Sequence, residues 1–402
     1  MEKHLNILYI TSMYPTEKSP YSGVFITRRI EALEAMGHSV IPYALVRSES
    51  HGLRMARKML HKRQKDKVNA DEILTPDSSI KYKVMLVESS ILGELLDKIF
   101  RYKYTYGKAA LKIAKNVKRK NVNVVHAHWL YPSGWVGEKV ANKLGVPSVI
   151  TCHGSDVNVY LQKKHNRKVY LKTLSDASCV EFVSNALMRK TLTLGYDQKN
   201  GVIAPNGIVR VSEQRTTPPQ YVNEIKKVGF VGSIIEVKRV RSFPDIFSII
   251  AKAMNGKVEF VIVGDGGLHE WLVEECEGLS VKFEGQQKPD KVFEYMRQMD
   301  VMILPSKNEG WPCVVLEAQS CGTPVVGSDR GGIPEAVGDE RFIVKDGEFF
   351  EQRFAERVIQ VLDGTLHYST DDMMKRSAEY TWDVLQSKAV DRYRGLICDG
   401  NR

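Results

Sequence analysis

Residues 305–335 read PSKNEGWPCVVLEAQSCGTPVVGSDRGGIPE. They follow a short apolar run, Val301–Leu304, of the kind that forms a strand buried on both faces of a parallel sheet. Gly310 and Pro312 predict a tight turn into a helix over 314–321, and Val325-Val326 centres the next strand, 324–327. Glu309 falls in the loop after the first strand, and Glu317, eight residues on, falls in the helix. The start of such a helix offers main-chain amides to a diphosphate or to sugar hydroxyls. Gly322-Thr323-Pro324 and Gly331-Gly332 are expected to let main chain come close to a ligand. On their own the two glutamates also fit helix-start caps and surface charge.

The same alternation extends upstream. Strands over 228–231, 258–263 and 281–284 alternate with helices over 243–254, 268–276 and 290–298. In the first half, Leu5–Ile10, Ser39–Leu45, Val122–His126 and Val146–Cys152 read as strands, with helices over 24–36, 107–120 and 133–144. This predicts an α/β protein of two Rossmann-like, doubly wound domains facing across a deep cleft, with ligands at the loops after the strands. The expected domains are 1–209 and 228–381, joined by a linker, 210–227, that contains Thr216-Thr217-Pro218-Pro219. Trp382–Leu396 reads as an amphipathic helix, within an expected C-terminal helix over 382–402.

A length of 402 residues allows two or three domains of about 150 residues each. The formal net charge of +10 is unevenly placed: residues 1–200 carry 33 Lys and Arg against 17 Asp and Glu, and residues 201–402 carry 25 against 31. Such asymmetry predicts different partners for the two halves. Six scattered cysteines without a Cys-x-x-Cys pair fit a reducing cytoplasm and give no zinc-ribbon spacing. No apolar run reaches the 18 residues of a membrane span, and the N-terminus lacks the pattern of a signal peptide.

The pattern Glu-Gly-x-Pro-x-x-x-x-Glu-Ala, then Gly-x-Pro-Val-Val and Gly-Gly-x-Pro-Glu, runs through Glu309, Gly310, Pro312, Glu317, Ala318, Gly322, Pro324, Val325, Val326, Gly331, Gly332, Pro334 and Glu335. Here the chain resembles glycosyltransferase family 4 (glycosyl transferases group 1), the retaining transferases of the GT-B fold. The likeness extends over nearly the whole chain and is looser in the first half. It implies an acceptor domain over 1–209, completed by the C-terminal helix crossing back onto it, and a nucleotide-sugar donor domain over 228–381. It also implies that Glu309 touches the donor sugar and Glu317 the nucleotide ribose, with Gly310, Trp311, Pro312 and Cys313 lining the donor site between them.

Other motifs match with departures. Gly232 and Lys238 match the family's phosphate-binding loop, but Ser233 stands where an Arg is usual, removing a bidentate fork unless Arg239 or Arg241 substitutes. Gly264-Asp265-Gly266-Gly267 resembles a turn after the next strand, and Glu284 and Gln286 fall in the loop that borders the base. In the first half, Pro20–Val24 matches the loop before the first helix, where Gly23 would face the donor phosphate, with Ser22 in place of a second glycine. His153 and Asp156 match His-Gly-x-Asp, whose His lies near the reacting centre; His128 and Asp156 are placed around the acceptor. His126 reads as packing, and His126, His128 and His153 lack the spacing and fourth ligand of a zinc site. Asn206-Gly207 matches a hinge motif whose final Asp is replaced by Val209.

The resulting expectation is a metal-independent, retaining hexosyltransferase without a cofactor, moving sugar from a UDP- or GDP-sugar to a glycan or lipid-linked acceptor in cell-surface polysaccharide or glycolipid synthesis. Two other readings remain: a non-hydrolysing sugar-nucleotide epimerase, and a non-catalytic basic module bound to membrane or nucleic acid. Most of the first-half charge sits in 54–67 and in 101–120, where Tyr106, Ala110, Ile113 and Val117 form an apolar stripe and Lys108, Lys112, Lys115 and Arg119 a cationic one. That helix fits either a solvated outer face or an anionic membrane surface, the latter giving a cytoplasmic protein peripheral to the inner face of the membrane. No nucleic-acid-binding motif is present, and nucleic acid is not an expected partner.

Overall fold

The computed structural model describes residues 4–15, 22–50, 53, 55, 72–74, 80–99, 103–209 and 224–399. The chain forms two compact units: Met1–Val183, Leu187–Ala204 and Trp382–Arg402 make the first, and Ser184–Ala186 with Pro205–Thr381 the second. Residues 205–209, expected in the first domain, thus fall in the second unit. The expected linker lies outside the described residues over 210–223, as does the basic segment 54–67 apart from Met55.

In the first unit, β1 (Asn6–Thr11), β2 (Ser39–Glu49), β3 (Glu72–Leu74), β4 (Lys81–Ser89), β5 (Val124–His128), β6 (Ser148–Cys152), β7 (Cys179–Phe182) and β8 (Gly201–Ile203) form a sheet in the order β3-β4-β2-β1-β5-β6-β7-β8. All neighbours pair in parallel except β3, which runs antiparallel along β4 at the edge. The apolar run of β1 explains the layering. Leu8 and Ile10 point to one face, against Tyr106, Ile113 and Val117 of α3 (Lys103–Val117) and Val136 and Val140 of α4 (Trp135–Leu144). Ile7 and Tyr9 point to the other, against Ile26, Ile30 and Leu33 of α1 (Val24–Ala35) and Ala389, Val390 and Tyr393 of the C-terminal helix. Strands buried on both faces lose the polar alternation of a half-exposed sheet, and the period of two shows only in which helix each side chain meets. Between β4 and α3 lies α2 (Ile91–Ile99); α5 (Lys164–Asp176) and α6 (Asn185–Thr193) flank β7 in sequence.

The second unit repeats the plan with six parallel strands: β9 (Lys226–Val231), β10 (Val258–Val263), β11 (Val281–Gly285), β12 (Val301–Leu304), β13 (Val325–Ser328) and β14 (Ile343–Val344), ordered β11-β10-β9-β12-β13-β14. The order reverses beside β9, the point at which open α/β sheets bind ligands beyond the strand ends. Its helices are α7 (Phe243–Ala253), α8 (His269–Glu275), α9 (Pro289–Gln298), α10 (Cys313–Ser320), α11 (Ile333–Val337), α12 (Phe350–Leu362) and α13 (Thr370–Ala378). Phe230, Phe243, Phe247 and Phe260 interlock beneath α7. At the two ends of this unit's chain, Ile208 and Thr381 pair, and Ile208 N–H bonds to the Tyr380 carbonyl at 2.9 Å. The C-terminal helix α14 (Trp382–Asp399) belongs to the first unit, as the family resemblance implied.

Candidate active-site residues

In the second unit the loops after β9, β10 and β11 are joined main chain to main chain. Gly232 N–H bonds to the Val263 carbonyl at 3.0 Å, Gly264 N–H to Gly285 at 2.8 Å, and Ile234 N–H to Asp265 at 3.0 Å. Gly264 has a φ of 136° and lies so close to Gly232 that a Cβ would strike its carbonyl; a Cβ on Gly266 would strike Ile234. The Gly-Asp-Gly turn therefore shapes the loop after β9 from behind. That loop carries Ser233 at its exposed tip and ends in the short turn Glu236–Lys238.

Lys238 Nζ reaches Glu309 Oε1 at 2.6 Å, and both side chains are largely buried. Two elements separated by 71 residues thus place a cation and a carboxylate together beyond the strand ends. Glu309 is held from the other side by Gly331-Gly332. Gly332 N–H donates to the Glu309 carbonyl at 2.9 Å, and Cβ atoms at 331 and 332 would overlap the carbonyls of Glu309 and Gly310. The two glycines were expected to let a ligand approach; what they admit is the loop that carries Glu309. Gly322, similarly read, closes α10 with a φ of 80° and an N–H bond to Gln319.

Glu317, on α10, is partly buried; its carbonyl accepts from Ser320 Oγ at 2.6 Å, its carboxyl has no hydrogen-bond partner among the described residues, and burial pushes that carboxyl up to about 7. Cys313, at the helix start, is half-buried, and burial raises its thiol, the neighbouring Glu317 adding to the effect. Pro312 caps the helix in an extended conformation and Gly310 lies against Gly332. Trp311, expected to line the donor site, is instead turned into the unit: its indole N–H donates to the Asn206 carbonyl at 3.0 Å and its ring packs on Tyr380. Glu284 is likewise engaged, accepting from Tyr295 Oη at 2.6 Å, whereas Gln286 is exposed. Neither candidate substitute for the arginine missing at Ser233 is placed as one. Arg239 bonds to Asp346 at 2.8 Å and covers the Phe350 ring, and Arg241 bonds to Glu236 at 2.6 Å over Trp271. Lys238 is the cation of this loop that meets Glu309.

In the first unit, Gly23 starts α1 with a φ of 75°, and a Cβ there would press on the Met13 carbonyl at 2.9 Å. Its backbone freedom is required by the turn itself. His128 ends β5 and His153 follows β6; His128 Nδ1 and His153 Nε2 are 3.0 Å apart. Burial pushes His153 down to about 3, with Arg29 adding to the effect. Asp156, expected around the acceptor, is buried and accepts from the N–H groups of Leu130, His153, Gly154 and Val157 at 2.9–3.3 Å. One carboxylate thereby ties the loop after β5 to the loop after β6 and fixes the His153 backbone.

Two features escaped sequence reasoning. Beneath the histidines lies a buried network in which Glu181 receives Arg29 at 2.7 Å, Arg392 at 2.8 Å and Thr151 at 2.8 Å. No local pattern signals it, because its members come from α1, β6, β7 and α14. Glu335, the last residue of the quoted stretch, accepts from Asn185 N–H, Asn185 Nδ2 and Ala186 N–H at 2.7–2.9 Å. Its place in the motif was visible; its use as an anchor for 185–186 was not. No group of His, Cys, Asp and Glu among the described residues is arranged to hold a metal ion.

The family model described as Glycosyltransferase Family 4 matches residues 22–210, and the model described as Glycosyl transferases group 1 matches residues 225–364. TuaC of Bacillus subtilis (strain 168), named as a teichuronic acid biosynthesis glycosyltransferase, is 25% identical over 356 residues, covering 85% of each chain. N-acetyl-alpha-D-glucosaminyl L-malate synthase of Bacillus anthracis is 28% identical over 306 residues, 72% of this chain and 78% of that one. Among solved structures, the lipopolysaccharide outer core galactosyltransferase WaaB superposes with a TM-score of 0.69 at 18% identity, covering 97% and 99% of the two chains. Anabaena Alr3699/HepE in complex with UDP superposes with a TM-score of 0.70 at 16% identity, covering 98% and 100%. With the first half matched by the Glycosyltransferase Family 4 model, the second by the Glycosyl transferases group 1 model, and the fold reproduced along nearly the full length, the chain belongs to glycosyltransferase family 4 and is a glycosyltransferase of the GT-B fold class.

Proposed function

We propose that this glycosyltransferase moves a hexose from a UDP- or GDP-sugar to a glycan or lipid-linked acceptor in cell-surface polysaccharide or glycolipid synthesis, with retention at the anomeric carbon. The observation that carries the reading is the Lys238–Glu309 contact at 2.6 Å. A donor diphosphate offers Lys238 more negative charge than one carboxylate does, so its arrival exchanges the partner of the ammonium and frees Glu309 for the sugar hydroxyls. The bond from the anomeric carbon to the phosphate oxygen then breaks, a bond to the acceptor oxygen forms on the same face, and the acceptor's proton passes to the leaving phosphate. Lys238 and loop amides stand where that charge develops, without a divalent ion in the proposed step. Glu309 positions the sugar and forms no covalent intermediate, and Glu317 meets the ribose. Alr3699/HepE has been solved with UDP-glucose, which supports the donor class, and TuaC is named for teichuronic acid biosynthesis, which supports the acceptor class.

Partner and location follow from the first unit. Lys108, Lys112 and Lys115 are exposed on α3 and Arg119 in the turn after it; Leu111 of α3 is 60% exposed, and Leu92 and Leu95 of α2 are 61% and 56% exposed. Cations interleaved with outward leucines support docking on an anionic membrane surface at the cytoplasmic face. No helix among the described residues is long and apolar enough to cross a membrane.

The test is turnover of a panel of UDP- and GDP-sugars with glycan and lipid-linked acceptors. Lys238→Ala is expected to lower kcat by about 10²–10³, and Glu309→Ala to abolish transfer while circular dichroism stays native. Full turnover by Glu309→Ala on any accepted donor refutes the assignment, and an inverted anomeric product refutes retention.

A further inference from the structure

The imidazoles of His126, His128 and His153 form a column in the first unit: the first two rings are 4.7 Å apart and 14° from parallel, the second pair 5.2 Å and 29°. Hydrogen bonding fixes where their protons sit. Thr151 Oγ1 gives its one hydrogen to Glu181 Oε2 at 2.8 Å, so toward His126 Nε2, at 2.6 Å, it accepts, and Nε2 carries the proton. His126 Nδ1 then accepts from Tyr393 Oη at 2.6 Å. His128 is fully buried; its Nδ1 meets His153 Nε2 at 3.0 Å, and its Nε2 has no partner among the described residues. Burial, reinforced by neighbouring Arg29, keeps all three rings neutral at pH 7.

Two neutral imidazoles sharing one bond allow two arrangements. If His153 Nε2–H donated, the proton of His128 would sit on its buried Nε2 with nothing to receive it. If His128 Nδ1–H donates, only a ring lone pair goes unpaired. Buried N–H groups without acceptors are the rarer and costlier defect, so the second arrangement is favoured.

We propose that His128 is a positioning residue: its Nδ1–H donates to His153 Nε2, holding His153 in the Nδ1-protonated tautomer. In this state the Nε2 lone pair is occupied, and His153 serves transfer as a neutral hydrogen-bond donor through Nδ1, not as a base through Nε2. The part concerning transfer rests on the reading that His153 lies near the reacting sugar; the tautomer does not.

Long-range proton–nitrogen correlation spectra of protein labelled with ¹⁵N-histidine read the tautomer directly, with the His153 signals identified by their loss in His153→Asn. The expected wild-type spectrum has His153 protonated at Nδ1. His128→Asn, whose amide nitrogen can take the place of Nδ1, keeps that pattern, and His128→Phe, which keeps an aromatic ring but no donor, loses it. In turnover, His128→Phe lowers kcat by about tenfold or more with little change in donor KM, and His128→Asn recovers most of it. A wild-type His153 protonated at Nε2 overturns the proposal and needs no variant to fold. An Nδ1-protonated His153 that persists in His128→Phe overturns the part played by His128. A tautomer that follows the proposal while kcat stays unchanged in His128→Phe overturns the role of His153 in transfer instead.

Discussion

Gly332→Ala isolates the support of Glu309 from its chemistry. Gly332 has an ordinary φ of −84°, so alanine adds no backbone strain there. Its methyl would, however, overlap the Gly310 carbonyl oxygen and come within 3.2 Å of Ser184 Cβ. Restoring normal contact needs the 309–310 loop to retreat by roughly 1 Å. Overpacking of this kind costs about 1–3 kcal/mol, and loss of the Gly332 N–H bond to Glu309 adds about 1 kcal/mol. The expected loss of stability is therefore about 2–4 kcal/mol, a fall of roughly 5–10 °C in the melting temperature of the second unit. The same shift carries the Glu309 carboxylate away from Lys238, and a misplacement of this size lowers kcat/KM by about a hundredfold. Gly267→Ala is the control: a Cβ there meets nothing within 4 Å and should stay within about 0.5 kcal/mol of the parent. Calorimetry and donor turnover of the two variants decide the matter. Parental melting and turnover in Gly332→Ala would refute the claim that this glycine positions Glu309.

Two further outcomes are expected. Burial raises the Glu317 carboxyl to about 7, so between its unfolded value and 7 the folded state holds a proton the unfolded state has lost, and stability falls as pH rises through that window. Glu317→Gln should flatten the dependence and melt higher than the parent at pH 8, by roughly 1–3 kcal/mol; a lower melting point there contradicts it. Reversing Lys108, Lys112 and Lys115 to Glu should weaken sedimentation with vesicles of anionic lipid by about 1 kcal/mol or more per charge at low salt while nucleotide binding is kept. Unchanged vesicle binding would remove the membrane reading of α3.

The fold was legible where burial is complete. Leu5–Ile10 and Val301–Leu304 are uninterrupted apolar runs between turn residues, and both strands lie within a residue of their expected bounds. β7 was missed because Cys179–Phe182 contains Glu181, a residue that reads as surface until Arg29 and Arg392 arrive from 152 and 211 positions away. β4 was missed because Lys81, Lys83 and Glu88 dilute its apolar positions at the margin of the sheet. Among the candidate site residues, the motif singled out Glu309 and Glu317, but the direction of their neighbours needed three dimensions. A sequence states that Gly331 and Gly332 admit a close neighbour without saying whether it is a ligand or the chain's own carbonyls. It places Trp311 beside Glu309 without showing that Tyr380 and the Asn206 carbonyl claim its ring. The lost arginine at Ser233 could be read; that Arg239 and Arg241 are engaged elsewhere could not.

The joining of Gly232, Gly264, Gly266 and Gly285 through main chain alone has a consequence for how this enzyme can change. Where Gly264 meets Gly232 and Gly266 meets Ile234, backbone packs directly on backbone. Replacing Ser233 or Gln286, which are exposed at the loop tips, alters what those tips offer without moving them. Replacing Gly264 or Gly266 moves everything at once. Mutational tolerance should therefore be split sharply within a few residues: steep at positions that have no side chain, shallow at the neighbours that do. On the proposed reading, in which these tips meet the donor, a change of donor preference can then accumulate there one side chain at a time, on a scaffold that does not have to be rebuilt for each step.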